Sequence, residues 1–383
     1  MNFTISPEEQ TFKEEVHNFF LGNLPAVTEA RKEWDAGQGF GPNCWKLLQK
    51  LGEKGWLCPT WPKEYGGLNL SFMYRYILME EMDYFTNIYT TVGAGMAGPV
   101  ILRQGSEKQK EDFLPRIARG DIEFALGYTE PQAGSDVAAI SIRAEDRGDH
   151  FLMNGTKLFN TRVHYAQYHW LGARTEATTP KYKGISLFIV DLKTPGIQIS
   201  PIYTVGGQRT NEVSYENVII PREGLVGEKN KGIYYIMEAL DFERISIASG
   251  LKRDFQELVD YARENGLGKF PVIRHKFASL SIEIEAARLL ALRVAWLINT
   301  GKIPNYEAAM LKMIIAETRQ KFVNTAMEIM GPEGMLRGEE SGAPLNGKME
   351  WLYRDSLESL VTRGTSEIMR NIIAQRGLGL PRV

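Results

Sequence analysis

The stretch Phe124-Ala125-Leu126-Gly127-Tyr128-Thr129-Glu130-Pro131-Gln132-Ala133-Gly134-Ser135-Asp136 concentrates residue types suited to close contact with a ligand. Its small residues let backbone amides approach, and Thr129 and Ser135 add hydroxyls for polar edges. As a bare pattern it fits a structural loop equally well. Gly93-Ala94-Gly95-Met96-Ala97-Gly98 matches the G-x-G-x-x-G dinucleotide fingerprint. Pro99 follows at once and no parallel-strand run precedes it, so the required βαβ unit is missing and close helix packing is expected instead. Of the five histidines, His17, His150, His164, His169 and His275, only His164 and His169 lie near each other. Their separation of five is not the i, i+4 spacing of a helical zinc pair, and no acid completes a motif. Cys44 and Cys58 form no CxxC pair and suit a reducing compartment, so no metal site is expected. Neither a G-x-S-x-G elbow nor a P-loop is present, which leaves hydrolase and triphosphatase chemistry without support.

The elements that must position such residues fall into three zones. Residues 1–120 read as helices with polar joints, opened by Ser6-Pro7-Glu8-Glu9, an N-cap with Pro at the first helical position and acids in the first turn. Residues 121–230 carry short β-rich runs such as 184–191 and 213–221, which predict a small antiparallel β domain. Residues 231–383 return to helical period: Phe277, Leu280, Ile284, Ala287, Ala291, Val294 and Ile298 form one stripe, with further helical runs at 306–330 and 350–376. A C-terminal four-helix bundle follows from that pattern. The 383 residues carry 45 Lys+Arg against 47 Asp+Glu, a net charge of −2 that gives no footprint for nucleic acid. The start lacks a signal-peptide pattern and no apolar run reaches the ~18 residues of a membrane span, so a cytoplasmic protein is expected.

In this order and spacing the chain resembles the acyl-CoA dehydrogenase family. The stretch ending at Asp136 is similar to T-E-P-x-A-G-S-D, and Asn154-Gly155-Thr156-Lys157-Leu158-Phe159-Asn160-Thr161 to N-G-x-K-x-W-I-T. Leu240-Asp241-Phe242-Glu243-Arg244 resembles L-D-x-x-R, Arg354-Asp355 the family's R-D, and Gly364-Thr365-Ser366-Glu367-Ile368-Met369-Arg370 its G-T-x-E-I-x-R. The resemblance implies an α+β fold with a helical domain, a β domain and a helical bundle. It also implies FAD held between the β domain and the last helices, with a CoA thioester against the flavin. By position, Tyr128, Thr129, Gly134, Ser135, Phe159 and Thr161 would serve the flavin, with Phe159 in place of the usual Trp and Thr161 near N5. Thr365 and Glu367 would reach the phosphate or adenosine side, and Ser135, Asp241 and Arg244 the CoA.

The implied reaction takes the α-proton to a base and the β-hydride to flavin N5. Many family members place a Glu immediately before the C-terminal Gly-Thr, but here that residue is Arg363, whose guanidinium cannot act as a base. The resemblance then points to Glu243, the position used by some branched-chain and long-chain members. Ile236, Leu240, Glu243 and Ile247 follow at spacings of four, three and four, which predicts a carboxylate on an apolar helical face with a raised pKa. Arg363 keeps a backbone N–H for the thioester carbonyl, and its side chain is expected either to hold a substrate carboxylate or to pair with a protein acid. The family's R-x-x-F-G is not recognisable around residues 262–266, and Met330-Gly331-Pro332-Glu333-Gly334-Met335 replaces F-G-G-x-G-Y. Similar departures occur in family members that act on steroid side-chain or bulky cyclic thioesters, so the resemblance implies an acyl group that is bulky, branched, cyclic or carboxylated. An electron-transfer flavoprotein is the implied acceptor, in a homotetramer or a heterotetramer with a related subunit. The alternatives are a non-catalytic partner subunit, an oxidase, and a ring-diene-forming or reductive variant aided by Glu80, Glu81 or Asp83.

Overall fold

The structure, a computed structural model, describes residues 4–33, 41–88, 90–178, 180–243 and 246–381, with the side chains of 241–243 outside the description. The chain opens with α1 (Pro7–Gly22), α2 (Leu24–Glu33), α3 (Pro42–Glu53), α4 (Phe72–Thr86), α5 (Gly98–Gln104) and α6 (Glu107–Arg119). Ser6 caps α1 as its sequence predicts: its hydroxyl accepts from the Glu9 N–H while the Glu9 carboxylate accepts from the Ser6 N–H. A π-helical turn, Gly93–Ala97, leads directly into α5. Its glycines are packing residues. A Cβ on Gly98 would run into the Trp61 indole, and one on Gly95 would lie 2.6 Å from Thr90 Oγ1.

Eight strands follow: β1 (Phe124–Gly127), β2 (Arg143–Asp146), β3 (His150–Lys157), β4 (Tyr168–Arg174), β5 (Ile185–Asp191), β6 (Ile197–Tyr203), β7 (Arg209–Pro221) and β8 (Leu225–Val226). Their order is β6-β7-β3-β2-β4-β5-β8, with β1 beside β4. Most pairs are antiparallel as expected, but β1 runs parallel to β4, and β2 meets β4 in parallel at Arg143 and Arg174. Both exceptions follow from long connections, which free a strand from the hairpin rule. His169 is a core histidine on β4, bonded through Nδ1 to the Tyr215 hydroxyl. Burial pushes its pKa down to about 3, so it stays neutral. Gly127 is needed opposite, because a Cβ there would sit 2.6 Å from His169 Nε2.

The C-terminal part comprises α7 (Gly232–Glu243), α8 (Ser249–Glu264), α9 (Pro271–Asn299), α10 (Asn305–Met330), α11 (Lys348–Val361) and α12 (Ser366–Ile372). The stripe on α9 is buried as read: Leu280 and Ile284 pack with Phe322 and Val323 of α10, and Ala291 and Val294 with Tyr76 and Met79 of α4. Two expectations need correction. The run 350–376 is not one helix, because Arg363 (φ 58°) and Gly364 (φ 86°) adopt left-handed backbone and split α11 from α12. Nor do Ile236, Leu240, Glu243 and Ile247 share one helical face. α7 ends at Glu243, Ser246–Ala248 is not helical, and Ile247 packs in the α4–α9 cluster while Ile236 packs in the sheet-side core. A new helix starts at Ser249, where buried Asp83 accepts the Gly250 N–H at 2.6 Å.

Candidate active site

A buried ion pair organises the β-domain end of the site. Lys157, the last residue of β3, is fully inaccessible and donates to Glu130 Oε1 at 2.8 Å and to the Tyr128 carbonyl at 3.1 Å. Glu130 also accepts from the Ser141 N–H and hydroxyl, both at 2.7 Å, and from the Ile142 N–H at 3.1 Å. Burial disfavours both charges, but they respond differently. Glu130 stays below the usual carboxylate range because Lys157 and Ser141 outweigh its burial, whereas burial wins at Lys157 and pulls it down to about 8. The pair laces the Tyr128–Glu130 segment to the end of β3, and a Leu158 N–H to Thr129 carbonyl bond at 2.9 Å completes the seam. Both residues lie inside the sequence motifs, yet nothing in their spacing pairs them. The available signal was Glu130 and Asp136 in the first stretch and Lys157, the single cation, in the second.

This seam presents Phe159. The ring is 59% exposed and its backbone is left-handed (φ 55°), an unfavourable combination for a bulky residue. The strained turn is held from the next residue. The Asn160 side-chain amide donates to the carbonyls of Leu126 (3.1 Å) and Leu158 (3.0 Å), and its backbone N–H donates to Asn211. Thr161 follows with its hydroxyl 3.3 Å from that of Thr210 on β7. The structure thus brings Tyr128, Thr129, Phe159 and Thr161 together on one sheet end. Gly134 and Ser135 lie on an exposed loop beyond the Glu130–Ala133 bridge, and a Cβ on Gly134 would meet nothing within 4 Å.

The C-terminal helices approach the same end. Asp355 of α11 accepts from Gln208 Nε2 at 2.9 Å and Arg319 Nη2 at 3.1 Å, and Arg354 donates to the Val205 carbonyl at 2.8 Å. The R-D motif therefore docks the β6–β7 hairpin on α11. Lys312, buried on α10, donates to the Gly364 carbonyl at 2.6 Å and pins the turn that contains Arg363. Thr365 caps α12 through the Ile368 N–H at 3.2 Å, and Glu367 is exposed in its first turn. Burial, with help from Asp355, pushes Glu358 up, while Arg319, Arg363 and Arg162 pull it down. Arg162 (after Thr161) and Arg363 thus both act on one α11 carboxylate, which joins the Phe159–Thr161 turn to the Arg363 turn electrostatically. Lys312 and Glu358 carry no sequence signal, since only the fold sets them beside the turn.

The remaining predicted residues are located less fully. Glu243 is the last residue of α7 and Asp241 stands two before it, but their side chains, and Arg244 altogether, lie outside the described residues. The α4 acids are engaged: Glu80 accepts from the Tyr76 hydroxyl, Glu81 faces His17 Nδ1 at 2.8 Å, and Asp83 holds Gly250. Among the described residues no group of His, Cys, Asp or Glu could hold a metal ion, and no helix is long and apolar enough to cross a membrane. Cys44 and Cys58 are free and buried.

Three family descriptions match along the chain in order. The acyl-CoA dehydrogenase N-terminal domain covers residues 6–121, the middle domain 125–218 and the C-terminal domain 230–378. The chain belongs to the acyl-CoA dehydrogenase family. The acyl-CoA dehydrogenase FadE29 of Mycobacterium tuberculosis is 34% identical over the whole of both chains. A solved structure described as the Tcur3481-Tcur3483 steroid ACAD is 34% identical, covers 100% of each chain and superposes with a TM-score of 0.92. The ChsE4-ChsE5 complex from Mycobacterium tuberculosis is 30% identical with the same coverage and a TM-score of 0.89.

Acyl-CoA dehydrogenases are FAD-dependent flavoproteins, oxidoreductases acting on CH–CH bonds. The residues present here fit that cofactor. Phe159 offers an exposed aromatic face on a rigid turn, Thr161 and Thr129 offer hydroxyl and backbone groups beside it, and Gly134 leaves open space where a side chain would stand.

Proposed function

We propose that this acyl-CoA dehydrogenase oxidises an acyl-CoA thioester with Glu243 as the base that removes the α-proton. The observation that supports this best is the exposed, left-handed Phe159, clamped beside Thr161 by the Lys157–Glu130 seam. FAD, when bound, supplies the acceptor for the β-hydride. Tyr128, Thr129, Phe159 and Thr161 would hold its ring, with Gly134 and Ser135 nearby, and Thr365 and Glu367 would serve its phosphate or adenosine side. Glu243 ends a helix whose Ile236 is fully buried and whose Leu240 packs against the same core. A carboxylate at this position is a residue type suited to α-proton removal. The Arg363 N–H, held on a turn pinned by Lys312, stabilises the charge that develops on the thioester oxygen. Ser135, Asp241 and Arg244 hold the CoA, and electrons leave through an electron-transfer flavoprotein.

A bulky or cyclic acyl group is favoured by the likeness to the steroid ACAD. The same likeness supports a second reading, in which the chain works beside a related subunit, because both solved neighbours are described by two paired names. Anaerobic bleaching of the purified flavoprotein by a panel of aliphatic, cyclic and dicarboxylic CoA thioesters tests these readings. Bleaching by one class, lost in Glu243→Gln, is the expected result. Bleaching that survives Glu243→Gln removes the base assignment. A colourless protein that takes up FAD only with a co-expressed related subunit favours the second reading.

A further inference from the structure

We infer that Arg75 is a receptor for a carboxylate carried at the far end of the acyl group. Arg75 lies on α4 and is only 8% exposed. Among the described residues its guanidinium donates no hydrogen bond and pairs with no carboxylate; its aromatic contact is with Phe72, 5.8 Å from the ring centre. The acids on its own helix are committed elsewhere: Glu80 to Tyr76, Glu81 to His17 and Asp83 to Gly250. Glu123 across the π-helical turn is likewise engaged by the Gly93 and Phe124 N–H groups. The nearby Cys58 thiol is pushed far up by burial, so it stays neutral and supplies no counter-charge.

An arginine stays protonated even when buried, and its five donors form a planar fork matched to carboxylate oxygens. Leaving that fork unmet costs folding stability, so a buried unpaired guanidinium marks a place where an anion is expected to arrive. The surroundings suit an arriving ligand. Arg75 Nη2 stands 3.5 Å from where a Cβ on Gly95 would be, which puts the guanidinium beside the Gly95 backbone, where the Thr90 side chain also lies. Gly95 belongs to the π-helical turn that packs against α7, the helix ending at Glu243. An anion reaching this position lies against a turn that packs on the helix carrying the proposed base, and on that ground it is assigned as the distal carboxylate of the acyl group. This deepens the proposed dehydrogenase function and rests on it.

The test uses the FAD-loaded protein with matched pairs of CoA thioesters: hexanoyl and adipoyl, octanoyl and suberoyl, and cyclohexanecarbonyl with its 4-carboxy analogue. The wild type is expected to prefer one carboxylated member over its neutral partner by ~100-fold or more in kcat/KM. Arg75→Met abolishes that preference through KM while leaving kcat/KM on the neutral partner unchanged or higher; Arg75→Lys falls between. Without ligand, Arg75→Met melts higher than the wild type, because a buried unpaired cation has been removed. A wild type that prefers the neutral member of every pair overturns the inference, as does an Arg75→Met protein that keeps the preference or melts lower. Turnover of neutral thioesters that is lost in Glu243→Gln preserves the dehydrogenase function even if the inference fails. If no thioester is turned over, that function fails. The inference then stands only if a carboxylated thioester raises the melting temperature of the wild type and not of Arg75→Met.

Discussion

Replacing Lys157 by Met tests whether the buried ion pair holds the flavin side of the site in shape. The change removes two hydrogen bonds, to Glu130 at 2.8 Å and to the Tyr128 carbonyl at 3.1 Å. It also leaves the inaccessible Glu130 carboxylate with only its Ser141 and Ile142 donors. Breaking one partner of a buried pair costs about 3–5 kcal/mol, because the remaining charge is stranded. At roughly 2–4 °C per kcal/mol for a large domain, the melting temperature falls by on the order of 10 °C. FAD content, read from flavin absorbance after desalting, falls with it because the Phe159 turn starts two residues after Lys157. Glu130→Gln in the Lys157→Met background recovers part of the loss by neutralising the stranded charge. A pH signature separates this from generic damage. Lys157 has a native pKa of about 8, below its unfolded value near 10.5, so between those pH values the unfolded chain binds the extra proton. Wild-type stability therefore carries an upward slope from this group as pH rises from 8 toward 10.5, and Lys157→Met lacks that slope. A Lys157→Met protein that stays fully yellow and melts within ~2 °C of wild type at pH 7 refutes the reasoning.

Two further outcomes follow from the geometry. Phe159→Ala keeps the left-handed strain but loses the ring, so FAD binding weakens at least tenfold by titration while the apo melting point moves little; equal FAD affinity in the two proteins would show that the ring covers nothing. Asp254 is buried against Arg253 and Lys348, which outweigh its burial and hold it at about 2. Its contribution, on the order of 2 kcal/mol, is present above its unfolded pKa near 4 and is lost as pH falls toward 2. Asp254→Asn should remove that part of the acid sensitivity in urea titrations between pH 2 and 4, and an unchanged acid slope would discount the pair.

The legible parts of the fold were those written in local pattern. The Ser6 cap, strands β5 and β7, and the α9 stripe are each set by neighbours within a few residues. The break at Arg363 was not legible, because a left-handed arginine is tolerated only where buried Lys312 and the following cap hold it. Ile247 misled for a related reason: its spacing continued the α7 period, but Asp83, more than 160 residues earlier, starts a new helix at Ser249. At the site, the motifs singled out Tyr128, Thr129, Phe159 and Thr161, which the fold gathers on one sheet end, while the clamp beneath them and the unpaired Arg75 depended on which charges the fold leaves together or apart.

Helix α4 is walled in on two sides. Ile77, Leu78, Met82 and Phe85 complete the core of the first helices, while Phe72, Met73, Tyr76 and Met79 complete a cluster with α9. The segment 6–121, although a recurring unit of ancestry, is thus an incomplete folding unit. Expressed alone it would expose four large side chains meant for a helix nearly 200 residues downstream, a surface prone to self-association. Exchange of this segment between relatives is constrained in the same way, since a donor α4 must match the recipient's α9 as well as its own core. The boundary seen by inheritance and the boundary seen by folding do not coincide in this chain.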